Sequence, residues 1–334
     1  MADRCPLNRG EVAAGHRHWN RGLINSGCDM RNLLTLFDLT GSEIQHIFAI
    51  TEDLKSKYEV GLREPLLPGR VLALLFEKPS LRTRVSFEAA IAHLGGSSLL
   101  LGKEAGFGSR ERIDDFARVL GQYVDALVVR AKRHETVETL AQHAPCSVIN
   151  GLTDQFHPCQ ALADLYTLRE VKGPLAGRQL VYVGDANNVA RSLAIGCGKV
   201  GMKMVLASPA GYRFDDAFTA RLATEVPELD LEVTDRPDEA VRRATAIYTD
   251  VWASMGQEQQ RPQRCRDFAA FQVNAALLAR APRDACFMHC LPARRGEEVT
   301  DEVIDGPQSI VLRQAANRMH LQKGVLAWLL GAQT

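Results

Sequence analysis

Apolar positions recur along this chain with two different periods, and the switch between the two repeats from residue 30 onward. Short runs rich in Val, Leu and Ile stand at 71–76, 124–129, 145–149, 179–183, 202–207, 245–249, 285–289 and 308–312, each of a length that suits a buried strand. Between them, apolar residues return at helical spacing over 41–57, 84–94, 134–143, 158–171, 188–200, 215–225, 267–280 and 314–331. A strand followed by a helix, repeated, builds a parallel sheet covered on both faces. The expected fold class is α/β, with two doubly wound parallel-sheet domains joined by interdomain helices.

The strand–helix units are too many for one ordinary sheet, and GPLAGRQ at 173–179 punctuates the middle of the chain. The expected division is a first domain over 30–150, a linking helix within 151–177 and a second domain over 178–312, with the helix at 314–331 packing back on the first. Residues 1–29 carry Arg4, Arg9, Arg17 and Arg21 with few acids and no sustained period. They are expected to form a poorly packed N-terminal extension.

Composition removes several classes of function. Lys plus Arg and Asp plus Glu each number 40, so the chain has no overall basic field of the kind that non-specific nucleic-acid binding needs. No apolar run approaches the ~18 residues of a membrane span. The 8 cysteines are scattered without a CxxC pair, which argues for reduced thiols in the cytoplasm and against disulfides or a zinc site.

Open parallel sheets bind ligands beyond the carboxyl ends of their strands, so chemistry is expected just after each apolar run. In FEKPSLRTRVSF, at 76–87, Pro79 and Ser80 form the turn and a helix starts near Arg82. The free N–H groups of that first turn, the hydroxyls of Ser80 and Thr83 and a two-pronged guanidinium make an anion site. Arg130 follows the next run and can reach the same anion. FHPCQ, at 156–160, sets His157 before Pro158 at a helix start with Gln160 three residues on, a donor and an amide that suit a carbonyl oxygen and a small amide.

VYVGDANNVARSL, at 181–193, has the strand, turn and helix of a dinucleotide site but lacks GxGxxG, which disfavours the alternative of a dinucleotide-dependent oxidoreductase. Its Asp185, Asn187 and Asn188 suit a small zwitterion. DVWASMG, at 250–256, offers Asp250 to an ammonium, Ser254 as a hydrogen-bonding group and Met255 as an apolar wall. HCLPARRG, at 289–296, sets His289 and Cys290 next to each other at a strand end. Successive strand side chains point to opposite faces, which argues against a Cys-His nucleophile.

Taken together, FEKPSLRTR, FHPCQ, DVWASMG and HCLPARRGEEVTDEVID resemble the motif set of the aspartate/ornithine carbamoyltransferase family, over residues 30 to about 330. The resemblance implies transfer of a carbamoyl group from carbamoyl phosphate to L-ornithine, giving L-citrulline and phosphate, in arginine metabolism. It implies that Ser80, Leu81, Arg82 and Thr83 hold the phosphate, that Arg130, His157 and Gln160 reach the carbamoyl group, and that Arg318 of AANRMH returns to the same substrate. Asn188, Asp250, Ser254 and Met255 match the positions that hold ornithine, and Cys290 and Leu291 match the loop beside the reacting δ-amine that also contacts carbamoyl phosphate. Arg130, His157 and Cys290 are the implied catalytic groups, with no cofactor and no metal. The family is typically trimeric or built from trimers, and the loop at 103–110 is where it reaches a neighbouring subunit.

Cys290 and the SMG of DVWASMG favour ornithine over aspartate. The Arg294–Arg295 pair keeps N-acetylornithine and N-succinylornithine as alternatives. Leu81 replaces a threonine usual to the family, and Arg84 is expected to brace the loop without touching phosphate.

Overall fold

The computed structural model describes residues 31–102, 110–253 and 256–331. Ser254 and Met255, the extension at 1–29 and most of the loop at 103–110 lie outside the described residues. Along the chain run α1 (Gly41–Glu59), β1 (Val71–Phe76), α2 (Leu81–His93), β2 (Ser97–Leu101), α3 (Ile113–Leu120), β3 (Ala126–Arg130), α4 (His134–His143), β4 (Ser147–Leu152) and α5 (Pro158–Lys172). Next come β5 (Gln179–Val183), α6 (Asn188–Lys199), β6 (Lys203–Ala207), α7 (Asp216–Glu225), β7 (Leu231–Thr234), the short α8 (Pro237–Ala240) and β8 (Ala246–Thr249). The chain ends through α9 (Arg261–Asp267), α10 (Ala275–Leu278), β9 (Cys286–His289), α11 (Asp301–Ile304) and α12 (Val311–Leu330).

Two parallel sheets result, one ordered β2-β1-β3-β4 and the other β7-β6-β5-β8-β9. Side-chain parity explains how each is buried on both faces. On β1, Leu72, Leu74 and Phe76 join one core while Ala73 and Leu75 join another; on β5, Leu180 and Tyr182 part from Val181 and Val183 in the same way. The inner faces of both sheets belong to one continuous core that runs through α5. That position buries α5 on all sides, from Pro158 to Leu168. Helix α12 lies against α1, α2 and α5.

Several expectations fail for identifiable reasons. The run at 308–312 is not a strand: one bridge pairs Ser309 with Phe287, and the chain then turns into α12 with Leu312 facing solvent. The single helix expected at 267–280 breaks, because Asn274 accepts from Leu277 N–H at 3.0 Å and starts a new helix while Phe271 and Val273 are buried in the break. The strands β2 and β7 are edges with mostly unburied side chains, so SSLLL and LEVT carry no clean apolar run. Helix α3 also escapes the sequence reading.

Among the described residues, no helix is long and apolar enough to cross a membrane.

Candidate active site

In both sheets the strand order reverses beside the first strand formed, between β1 and β3 and between β5 and β8. Those reversals open the crevices where parallel sheets take ligands. The segments that follow β1, β3, β5 and β8 carry Ser80 to Thr83, Arg130, Asp185 to Asn188 and Asp250.

After β1, Ser80 stands as the N-cap of α2 with extended backbone (φ −150°, ψ 103°), and no acid occupies the first turn to offset the positive helix end. Its hydroxyl donates to Thr83 Oγ1 at 3.0 Å. The same oxygen, buried, accepts from Arg318 Nη2 at 3.0 Å and from Arg130 Nη1 at 3.4 Å. Three donors converge on one hydroxyl, and the Nε atoms of both arginines have no partner among the described residues. Burial lowers both guanidiniums, Arg130 to about 10, with the neighbouring arginine charges adding to the effect on Arg130. Both remain cations at neutral pH. This corner has a surplus of donors and positive charge, which is what an anion requires.

Leu81 is 76% exposed, so its side chain turns away and only its backbone remains with the corner. Arg82 is exposed, and its charge bears on Arg130 and Arg318. Arg84 does not brace the loop; it pairs with Glu88 at 3.0 Å one turn further along α2.

His157 caps α5 ahead of Pro158 and donates its backbone N–H to Ser192 Oγ at 2.8 Å. Burial, then Arg318 and Arg130, hold its imidazole well below the ordinary value, so the ring is neutral. Among the described residues its Nδ1 has no partner, and neither does Oε1 of Gln160, one turn along. Gln160 is buried and gives its Nε2 to Asp164 Oδ1 at 2.8 Å.

In the second domain the polar turn is less open than its composition suggests. Asp185 is taken by Arg264, whose Nη1 lies 2.7 Å from Asp185 Oδ2 and 2.7 Å from the Trp252 carbonyl. Asn187 Oδ1 accepts from Val189 and Ala190 N–H, and its Nδ2 donates to Asp250 Oδ2 at 2.8 Å. Asn188 donates Nδ2 to the Thr153 carbonyl at 2.6 Å. Two of the expected zwitterion-binding trio are therefore structural: Asp185 ties the turn to the segment after β8, and Asn187 caps α6, while Asn188 is engaged only through Nδ2.

Cys290 donates from Sγ to Asp250 Oδ1 at 3.1 Å. Burial, then the Asp250 carboxylate, push this thiol well above its usual range, so it is no thiolate nucleophile. His289 does not lie on the far side as strand parity predicts: one of its ring nitrogens is within 4.8 Å of Cys290 Sγ and an Asp250 carboxylate oxygen, but the ring is engaged at both nitrogens, with Nδ1 accepting from Leu291 N–H at 2.9 Å and Nε2 meeting Glu298 at 3.2 Å. That contact secures Leu291 in left-handed backbone (φ 57°), ahead of the cis Leu291–Pro292 bond.

Sequence reasoning missed Asp164, Tyr248, Arg264, Glu298 and Gln314. Only Asp164 carried a signal, since it lies four residues after Gln160 and so on the same helix face. Tyr248, Arg264 and Gln314 act across long sequence separations, and Glu298 meets His289 only because the loop between them folds back.

Comparison with known proteins identifies the family of the two domains. The family description "Aspartate/ornithine carbamoyltransferase, carbamoyl-P binding domain" matches residues 31–170, and "Asp/Orn binding domain" of the same family matches 176–329. The chain belongs to the aspartate/ornithine carbamoyltransferase family. It is 50% identical over 303 residues to the ornithine carbamoyltransferase of Bacillus subtilis, covering 90% of this chain and 94% of that one. Among solved structures, the ornithine carbamoyltransferase of Pyrococcus furiosus superposes with a TM-score of 0.88 at 49% identity, covering 91% of this chain and 98% of that one. A mitochondrial ornithine carbamoyltransferase from Coccidioides immitis superposes at 0.83 and 34% identity, over 90% of this chain and 97% of that one.

Proposed function

We propose that this chain is an enzyme that transfers the carbamoyl group of carbamoyl phosphate to Nδ of L-ornithine, yielding L-citrulline and phosphate. The observation that carries the reading is the convergence of Ser80, Arg130 and Arg318 on Thr83, beside a neutral buried His157. Near-half identity to several ornithine carbamoyltransferases supports it.

Phosphate sits at the start of α2, held by the Ser80 and Thr83 hydroxyls, the Leu81 backbone, Arg82 and Arg318. Arg130 and His157 hydrogen-bond the carbonyl oxygen, and Gln160 meets the carbamoyl amide. Asn188, Asp250, Ser254 and Met255 hold the amino-acid end of ornithine. The δ-amine attacks the carbonyl carbon, a tetrahedral species forms, its C–O bond to phosphate breaks, and the surplus proton on Nδ passes to the departing phosphate. Arg82, Arg130, Arg318 and His157 stabilise charge on the oxygens throughout, and fixed donors in a dry site do this with little reorganisation.

An alkyl ammonium titrates near ~10.4, so the enzyme must take the minor neutral amine. Cys290, a thiol hydrogen-bonded to Asp250, lies where it orients that amine, with Leu291 beside it. The closed 184–188 turn, with Asp185 and Asn187 occupied, speaks against a bound pyrophosphate. A trimeric assembly in the cytoplasm belongs to the same proposal.

The test offers carbamoyl phosphate with ornithine, N-acetylornithine, N-succinylornithine, putrescine and aspartate in parallel. Product from ornithine alone is expected; turnover of an acylated ornithine in preference to it would overturn the assignment.

A further inference from the structure

Asp164 is a carboxylate nearly sealed from solvent in the middle of α5, and among the described residues it makes no ion pair, although the charge of Arg318 bears on it. Its Oδ1 accepts from Gln160 Nε2 at 2.8 Å and from Gln314 Nε2 at 2.7 Å, and its Oδ2 accepts from Tyr248 OH at 2.9 Å. The residue joins α5, β8 and α12 at one point. Burial pushes its carboxyl up to about 6. A neutral side chain there would avoid the burial penalty, so the charge calls for a role.

A side-chain amide has one acceptor end and one donor end, and nothing about its shape decides which faces which way. Beside a carboxylate the decision is made. Turning Gln160 over would press Oε1 against Oδ1, acceptor on acceptor, inside a low-dielectric core. We propose that Asp164 is a positioning residue that fixes the Gln160 amide with Nε2 inward, leaving Oε1 as the acceptor for the N–H of the carbamoyl group. The unpartnered state of Oε1 in a buried side chain agrees with this, since buried polar atoms otherwise find partners.

The same carboxylate orients Gln314, whose Oε1 then accepts from His289 N–H at 3.0 Å at the head of the Cys290–Leu291 loop. One charge thus sets two amides, one toward each half of the site.

This inference rests on the carbamoyl-transfer reading and is tested inside it. Acetyl phosphate replaces the carbamoyl amino group with a methyl, and inorganic phosphate lacks the acyl group altogether. The measured quantity is the ratio of the acetyl phosphate inhibition constant to the carbamoyl phosphate KM, with the inorganic phosphate constant as reference. Asp164→Ala should lower the ratio about tenfold while inorganic phosphate binding stays within about twofold. Gln160→Met should lower the ratio equally, and adding Asp164→Ala to it should lower it no further.

An isosteric series covers the case of an Ala variant that does not fold. Gln160→Glu sets acceptor on acceptor and should cut kcat/KM for carbamoyl phosphate at least tenfold at pH 8. Oδ1 of Asp164 meets both amides, so Asp164→Asn is added together with Gln314→Glu, which gives the new donor at position 164 an acceptor on each side and should recover most of that loss. Equal weakening of all three ligands by Asp164→Ala, an unchanged ratio, or no recovery in the isosteric series would overturn the role of Asp164. An inactive wild-type enzyme would instead overturn the carbamoyl-transfer reading.

Discussion

At position 81, where the sequence reading expects a threonine, the leucine side chain turns away from the anion corner. Leu81 is 76% exposed, while the hydroxyl that three donors seek belongs to Thr83, which is 1% exposed. Leu81→Thr should therefore change the carbamoyl phosphate KM by no more than about twofold, in line with the small effects of surface substitutions. Arg82→Ala, which removes a charged donor, should weaken that substrate about tenfold to a hundredfold. Steady-state kinetics on the two variants side by side checks both. A large gain from Leu81→Thr would mean that a hydroxyl at 81 reaches the phosphate after all.

Elements carry the next set of consequences, because the site is assembled by helices whose packing tolerates little change. Where α12 crosses α1, a Cβ built on Gly324 would stand 2.1 Å from Thr51 Oγ1 and 3.0 Å from the Ile47 carbonyl. Thr51 is tied to that carbonyl by a 2.7 Å hydrogen bond and cannot swing aside freely. Gly324→Ala should lower unfolding stability by about 1–3 kcal/mol by overpacking, despite the helix propensity that alanine adds. Urea unfolding measures it, and a stabilised variant would show that the crossing can open.

Such crossings were not legible in the sequence, although most of the elements were. β1 and β5 announce themselves because both of their faces are buried, and an unbroken apolar run is the trace this leaves. β2 and β7 leave none, since an edge strand can be half wet. The polar groups followed the same rule. Ser80, Arg130, His157 and Asp250 sit next to strand ends and could be found by position, whereas Glu298 and Gln314 meet the site through folded contacts with His289. Asn187 misled for another reason: a residue that caps a helix and one that grips a ligand have the same composition.

For the whole molecule, buried titratable groups set the response to acid. His320 is pushed down to about 4 by burial and then Lys323, and burial first also lowers His157, His134 and His93. An unfolded chain protonates these rings near ~6.5, so between about 4 and 6.5 it binds more protons than the folded chain and stability falls as pH drops. Asp164 works in the opposite direction: its carboxyl is raised from 3.8 to about 6, and protonation there favours the folded chain as pH drops through that window. Burial also raises the Asp185 carboxyl, which acts in the same sense as Asp164. Four rings against two carboxyls should leave a net loss on going from pH 7 to 4.5, measured by urea unfolding at intermediate steps. Asp164→Asn removes one of the two compensating groups, and its loss over the same interval should be steeper; a shallower one would mean the carboxyl is not raised.

The order in which the chain is made gives the packing of α12 a further meaning. Arg318 reaches Thr83 across 235 residues of sequence. At about 5–20 residues per second, on the order of 10 to 50 seconds separate the synthesis of the two sides of that contact. Through that interval α1, α2 and α5 lack the helix that covers them, and the apolar surface later met by Leu321, Val325, Leu326 and Trp328 is open to water or to whatever chaperone is at hand. The anion corner is closed only once α12 is made, so a nascent chain cut short before that helix carries uncovered apolar surface and lacks Arg318.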